Sequence, residues 1–75
     1  MSRKFKVIRN EGDHIVEVGS IVEEITEPNE RVDEFTFAWG QSIISRYADR
    51  DVEVIHVLAY GDTPQVIERK DLEEV

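Results

Sequence analysis

The first regular pattern along the chain is the alternation Lys4-Phe5-Lys6-Val7-Ile8-Arg9, with Phe5 and Val7 on one face and the lysines on the other, which predicts a strand. Asn10-Glu11-Gly12-Asp13 is turn chemistry, in which Gly12 is free to take positive φ. His14-Ile15-Val16-Glu17-Val18 is β-prone and is closed by Gly19-Ser20. Ile21 to Thr26 predicts a second strand, ended by Glu27-Pro28-Asn29, where proline offers no N–H to a ladder. Phe35-Thr36-Phe37-Ala38-Trp39 alternates large aromatic with small residues and reads as a strand with one strongly apolar face, broken by Gly40. From Gln41 to Arg50, Ile43, Ile44 and Tyr47 fall at helical spacing with Ser42 available as a cap; this favours a short helix over the competing irregular strand.

Val52 to Tyr60 is apolar on both faces over most of its length, the pattern of a central strand. Gly61-Asp62-Thr63-Pro64 is a tight-turn sequence, and Gln65 to Arg69 returns as the hairpin partner. Lys70 to Val75 predicts one helical turn, with Leu72 inward, and a short terminal strand. Several short strands, tight turns and at most one short helix predict a mainly β domain, and a closed five-stranded barrel is favoured because it removes exposed edges. The 75 residues allow one domain, spanning 1–75, with one core.

Two segments carry a resemblance. Gly12-Asp13-His14 through Glu17-Val18-Gly19-Ser20-Ile21-Val22-Glu23-Glu24-Ile25 resembles the first loop and second strand of SH3-like barrels, including those of small phage-encoded and bacterial proteins. Gln65-Val66-Ile67-Glu68-Arg69-Lys70-Asp71-Leu72-Glu73-Glu74-Val75 is similar to the ending of such barrels, where a strand passes through a one-turn helix into a last short strand. The resemblance implies a small five-stranded SH3-like barrel with a long insertion after the second strand, Thr26 to Asp51, which holds Trp39 and any short helix. Related KOW-type barrels bind nucleic acid or ribosome; this chain lacks the basic loop surface that such binding uses.

Charge changes the picture. Seventeen acids stand against nine bases, a formal net charge of −8. From Glu11 to Glu34 there are nine acids and a single base, Arg31, so this window carries the whole excess. Such a field repels phosphates and anionic membranes and attracts basic surfaces. The absence of cysteine removes disulfides, thiolate zinc sites and thiol chemistry. No stretch approaches the ~20 apolar residues of a bilayer span, and the apolar run after Lys6 is too short for a signal-peptide core, so a soluble cytoplasmic protein is expected.

Catalytic patterns are missing: none of Ser2, Ser20, Ser42 and Ser45 sits in a Gly-x-Ser-x-Gly elbow, and no glycine-rich phosphate loop occurs. No enzyme activity, cofactor or metal is expected. His14 lies among Glu11, Asp13 and Glu17, where a metal or pH-sensing role is weighed against a plain loop histidine, and the latter is preferred. His56, mid-strand with Val54 and Leu58, reads as packed or at a rim. Phe35 and Phe37 read as core; Trp39 and Tyr47 are balanced between core and contact surface. The candidate partner-binding residues are Glu11, Asp13, His14, Glu23, Glu24, Glu27, Trp39 and Tyr47. The favoured function is a non-enzymatic protein–protein interaction module with an acidic face for a basic or proline-containing partner. The second is a small phage-type effector that inhibits a host nucleic-acid-binding protein through acidic, DNA-mimic-like contacts. The third is a nucleic-acid-binding KOW- or OB-like domain using a basic terminal patch of Arg3, Lys4, Lys6, Arg9, Arg69 and Lys70, and no nucleic-acid binding is expected from it. A homodimer built on the aromatic segment stays open.

Overall fold

The computed structural model describes residues 3–12 and 14–75. Strands β1 (Lys4–Val7), β2 (Ile21–Glu24), β3 (Val54–Ala59), β4 (Thr63–Glu68) and β5 (Leu72–Glu74) form one antiparallel sheet in the order β4-β3-β2-β1-β5. The sheet curls into a half-barrel. Helix α1 (Glu34–Arg46) intervenes between β2 and β3, and a three-residue 3-10 turn, Arg69–Asp71, joins β4 to β5.

Strand alternation decides what goes inside. Phe5 and Val7 of β1, Val22 of β2, Ile55, Val57 and Ala59 of β3, Ile67 of β4 and Leu72 of β5 fill the concave side together with Val16 from the first loop. A smaller cluster of Ile25, Val32 and Leu58, joined by Phe37 of α1, lies on the other side of β3. That double covering is why β3 is apolar on both faces: α1 packs across β3 and β4 over Leu58 and His56. The β3–β4 hairpin turns at Tyr60 and Gly61, both at positive φ (55° and 80°), with Asp62 N–H donating to the Ala59 carbonyl (3.2 Å). The turn thus falls slightly ahead of the Gly61–Pro64 segment expected from sequence.

Two expectations need correction. Phe35 to Trp39 is the first half of α1 and forms no strand, and Gly40 continues the helix instead of breaking it. Asp33 supplies the helix start, its Oδ1 accepting from Thr36 N–H (2.7 Å), and Glu34 sits in the first turn. Aromatics at 35, 37 and 39 fit a helix as well as a strand, because i and i+4 share a helical face and i+2 lies opposite. The β-prone stretch His14–Val18 folds as a bent loop, not a strand: Asn10 holds both backbone groups of His14, the His14 ring accepts from Val16 N–H, and Glu17 N–H donates to the distant Tyr60 hydroxyl.

The half-barrel also does not close: β4 and β5 stand at opposite edges of the sheet. Each edge is blunted by a side chain of its own. Arg69 N–H pairs with the Glu53 carbonyl, so the odd residues of β4 face β3 and Pro64 faces outward. Pro64 has no N–H, and its carbonyl accepts from Gln65 Nε2 (2.9 Å). On β5, Asp71 and Val75 bond to β1, which leaves the Leu72 carbonyl at the free edge while its side chain stays in the core, and that carbonyl accepts from Arg69 Nη1 (2.8 Å).

Candidate functional site

The acids divide into those engaged within the chain and those facing solvent alone. Glu24 accepts a bidentate pair from Arg3 Nε and Nη2, each 3.0 Å. That hydrogen bonding holds the Glu24 carboxyl below its ordinary range against the opposing effect of partial burial. Glu23 lies 3.4 Å from Arg31 Nη2, and Glu11 sits between Arg9 (4.0 Å) and Lys70 (3.7 Å). Glu27, by contrast, is exposed and in no ion pair among the described residues, and the same holds for Glu30, Asp33 and Glu34 just ahead of and in the first turn of α1. Asp33 is held below its ordinary carboxylate range by the Thr36 N–H that it caps. Asp13 lies outside the described residues.

His14 is not on the surface. Asn10 clamps its backbone, with Oδ1 accepting from His14 N–H and Nδ2 donating to its carbonyl (both 2.8 Å). His14 Nδ1 accepts from Val16 N–H (3.2 Å), which assigns the ring proton to Nε2. Nε2 points at the Arg9 carbonyl (3.2 Å) and at Asp71 Oδ2 (3.5 Å). Asp71 is fully buried and also accepts from Gly12 N–H at 2.8 Å. The pair fastens the first loop to the 3-10 turn. Asp71 gave no signal in the sequence beyond its place before the inward Leu72.

The aromatic residues gather on α1. Phe35 is 83% exposed and Trp39 43% exposed, one turn apart on the same face. Phe35 therefore moves from the expected core to the surface, while Phe37, on the opposite side, packs on Ile25, Val32 and Leu58. The helix start at Asp33-Glu34 is the sequence signal that distinguishes the two. Trp39 is neither wholly core nor wholly exposed: its ring meets His56 edge-on (centroids 5.9 Å apart, planes at 72°) while its other side is open. His56 is 1% exposed, and neither ring nitrogen has a hydrogen-bond partner. Desolvation pushes its pKa below the ordinary 6.5. A Cβ on Gly40 would fall 2.2 Å from His56 Nδ1, so glycine here permits the close approach of α1 to β3.

Tyr47 caps the far end of α1 and carries the Arg50 guanidinium over its ring at 5.2 Å. With Ile44, Val52 and Val54 it borders a shallow cleft of about 470 Å³ rimmed by Arg50 and Asp51. The α1 face and the cleft lie toward opposite ends of the helix, so the structure does not bring Tyr47 to the acids near Trp39. The basic terminal residues do converge through β1–β5 pairing, but Arg3, Arg9 and Lys70 are matched by acids, and Lys4 and Lys6 sit opposite Glu23 and Glu73. Arg3 and Arg69 stack over the buried Phe5 ring at 5.2 and 5.1 Å.

Among the described residues no group of three or more His, Asp or Glu side chains is placed to hold a metal ion, and no helix is long and apolar enough to cross a membrane. No protein-family model matches the chain, and neither a curated protein nor a solved structure matches it.

Proposed function

We propose that the chain is an SH3-like barrel that works as a non-enzymatic protein-interaction module, with the N-terminal half of α1 as an acidic, aromatic face for a basic partner. The single observation that carries this reading is the exposed Phe35–Trp39 pair on the helix that Asp33 and Glu34 begin, with Glu27 and Glu30 in the segment ahead of it, acids with no internal ion pair among the described residues. Aromatic faces anchor apolar and cationic side chains, and unpaired carboxylates add attraction for Lys and Arg. The SH3-like assignment is supported by the meander β1-β2-β3-β4 with β5 returning beside β1 through a one-turn 3-10 helix. The acids at Glu11, Glu23 and Glu24 are matched internally, so the partner face shifts from the whole acidic window to the start of α1.

Trp39 is the sole tryptophan and reports on this face directly. Titration with a synthetic Lys/Leu amphipathic peptide is expected to shift Trp39 emission to shorter wavelength. The affinity is expected to fall steeply as salt rises and to drop at least about tenfold for the variant Phe35→Ala. An affinity indifferent to salt, or unchanged in Phe35→Ala, overturns the assignment of the face.

A further inference from the structure

Helix α1 shows solvent a seam of its own. Phe35, Trp39, Ser42 and Arg46 are all exposed and follow one another at i, i+4, i+7 and i+11, the spacing that holds side chains on one stripe of a helix. The opposite side of α1, with Phe37 and Gly40, is the one spent on the sheet. Along the seam the chemistry changes from end to end: aromatic rings in the N-terminal half, a hydroxyl and a guanidinium in the C-terminal half. The charges follow the same polarity. Glu30, Asp33 and Glu34 stand at the start, Arg46 and Arg50 at the end, and none of them is in an ion pair among the described residues.

We propose that this seam is a self-complementary dimer interface, on which α1 of a second copy lies antiparallel about a two-fold axis passing between Trp39 and Ser42. The inference rests on the reading of α1 as the contact face and names its partner: the basic group is Arg46 of the second copy. In that arrangement each Trp39 ring meets the small Ser42 of the other chain, and each Arg46 meets the other chain's Phe35 ring with Glu34 beside it. Large residues face small ones, and cations face rings and acids. A parallel arrangement instead sets acids against acids and Arg46 against Arg46. Charge complementarity therefore selects both the occupant and its direction. The 13-residue helix is only about 20 Å long, so the contact is smaller than the ~800 Å² per partner of a standard interface. The net charge of −8 on each chain opposes approach. The dimer is thus expected to form at roughly 100 μM and above.

Sedimentation equilibrium of the full chain from about 10 μM to 1 mM tests this. The weight-average mass should climb from 8.7 kDa toward twice that value, while Trp39 emission moves to shorter wavelength over the same range. Arg46→Glu and Glu34→Arg, each checked for folding by circular dichroism, should each move the midpoint at least about tenfold higher. The double variant carrying both changes should return it, a rescue that a merely structural role for either residue does not give. A mass of 8.7 kDa throughout, or single variants that dimerise like the parent, overturns the proposal. If the chain stays monomeric while the Lys/Leu peptide still shifts Trp39 emission, the dimer falls and the contact face survives; loss of both responses removes both.

Discussion

His56 and Gly40 form a matched pair that a single substitution upsets. The imidazole is buried with both nitrogens unpartnered, and the helix backbone reaches it only because residue 40 has no Cβ. Gly40→Ala improves helix propensity by about 1 kcal/mol but drives a methyl into the ring, so a net destabilisation of about 1–3 kcal/mol is expected in urea unfolding. In the background of His56→Ala the same change should become stabilising, a reversal of sign that a double-mutant cycle reads directly. His56 also sets a pH dependence. Its folded pKa lies below the ordinary 6.5, so below that value the unfolded chain binds more protons than the folded one, and stability falls as pH drops from about 7. Glu24 and Asp33 are held below 4.5 and 3.8, and their stabilisation is present above those values and lost only in more acid solution. Urea midpoints measured at pH 7.5 and 5.5 should therefore differ for the parent and differ less for His56→Leu, the apolar residue also sparing two unpaired nitrogens. An equal pH response in the two proteins removes His56 as the cause.

Elements differ in how far their own residues specify them. Strands β1, β3 and β4 and the 3-10 turn before β5 follow from local alternation and turn chemistry, so each was legible within a residue or two. Helix α1 was only half legible. Its aromatics at 35, 37 and 39 satisfy both periods, and Gly40 reads as a breaker until the ring of His56 is known to lie beneath it. The deciding groups, the cap at Asp33 and the Thr36 N–H it accepts, are a short-range signal that the aromatic alternation outweighed. The same reason hid most of the candidate site: Phe35 is exposed because of the helix, and Glu23 and Glu24 are paired with Arg31 and Arg3, which sequence spacing does not place beside them. In the first loop the turn at Glu11-Gly12 was legible but what fixes it was not, since Gly12 and His14 are held by Asp71, with 59 positions separating Gly12 from its acceptor. Asp71→Ala leaves the Gly12 N–H and the buried imidazole short of an acceptor, and a loss of about 2–3 kcal/mol is expected in urea unfolding. Hydrogen exchange should quicken first at Gly12 and Val16; unchanged exchange there argues that Asp71 is not the fastener.

At the scale of the molecule, charge and edges are arranged for a domain that keeps its sheet to itself. Pro64 with Gln65 blunts one edge, and Arg69 over Leu72 blunts the other, so neither edge offers a full ladder for strand pairing. The excess acid, gathered toward one end of α1, gives that helix a direction which the sheet lacks. The pairing of β1 with β5 reaches further than packing. Phe5 stands opposite Glu74, and the N–H of Val75 bonds to the carbonyl of Lys4 at 3.0 Å, so the earliest strand is completed by the last residues of the chain. A ribosome makes such a chain from its N-terminus at roughly 5–20 residues per second. Throughout that interval β1 has one neighbour missing and Phe5 lacks the Arg69 that covers it. β1 is consequently the strand that waits longest for its second neighbour, and the Phe5 side of the core is covered only when β5 pairs.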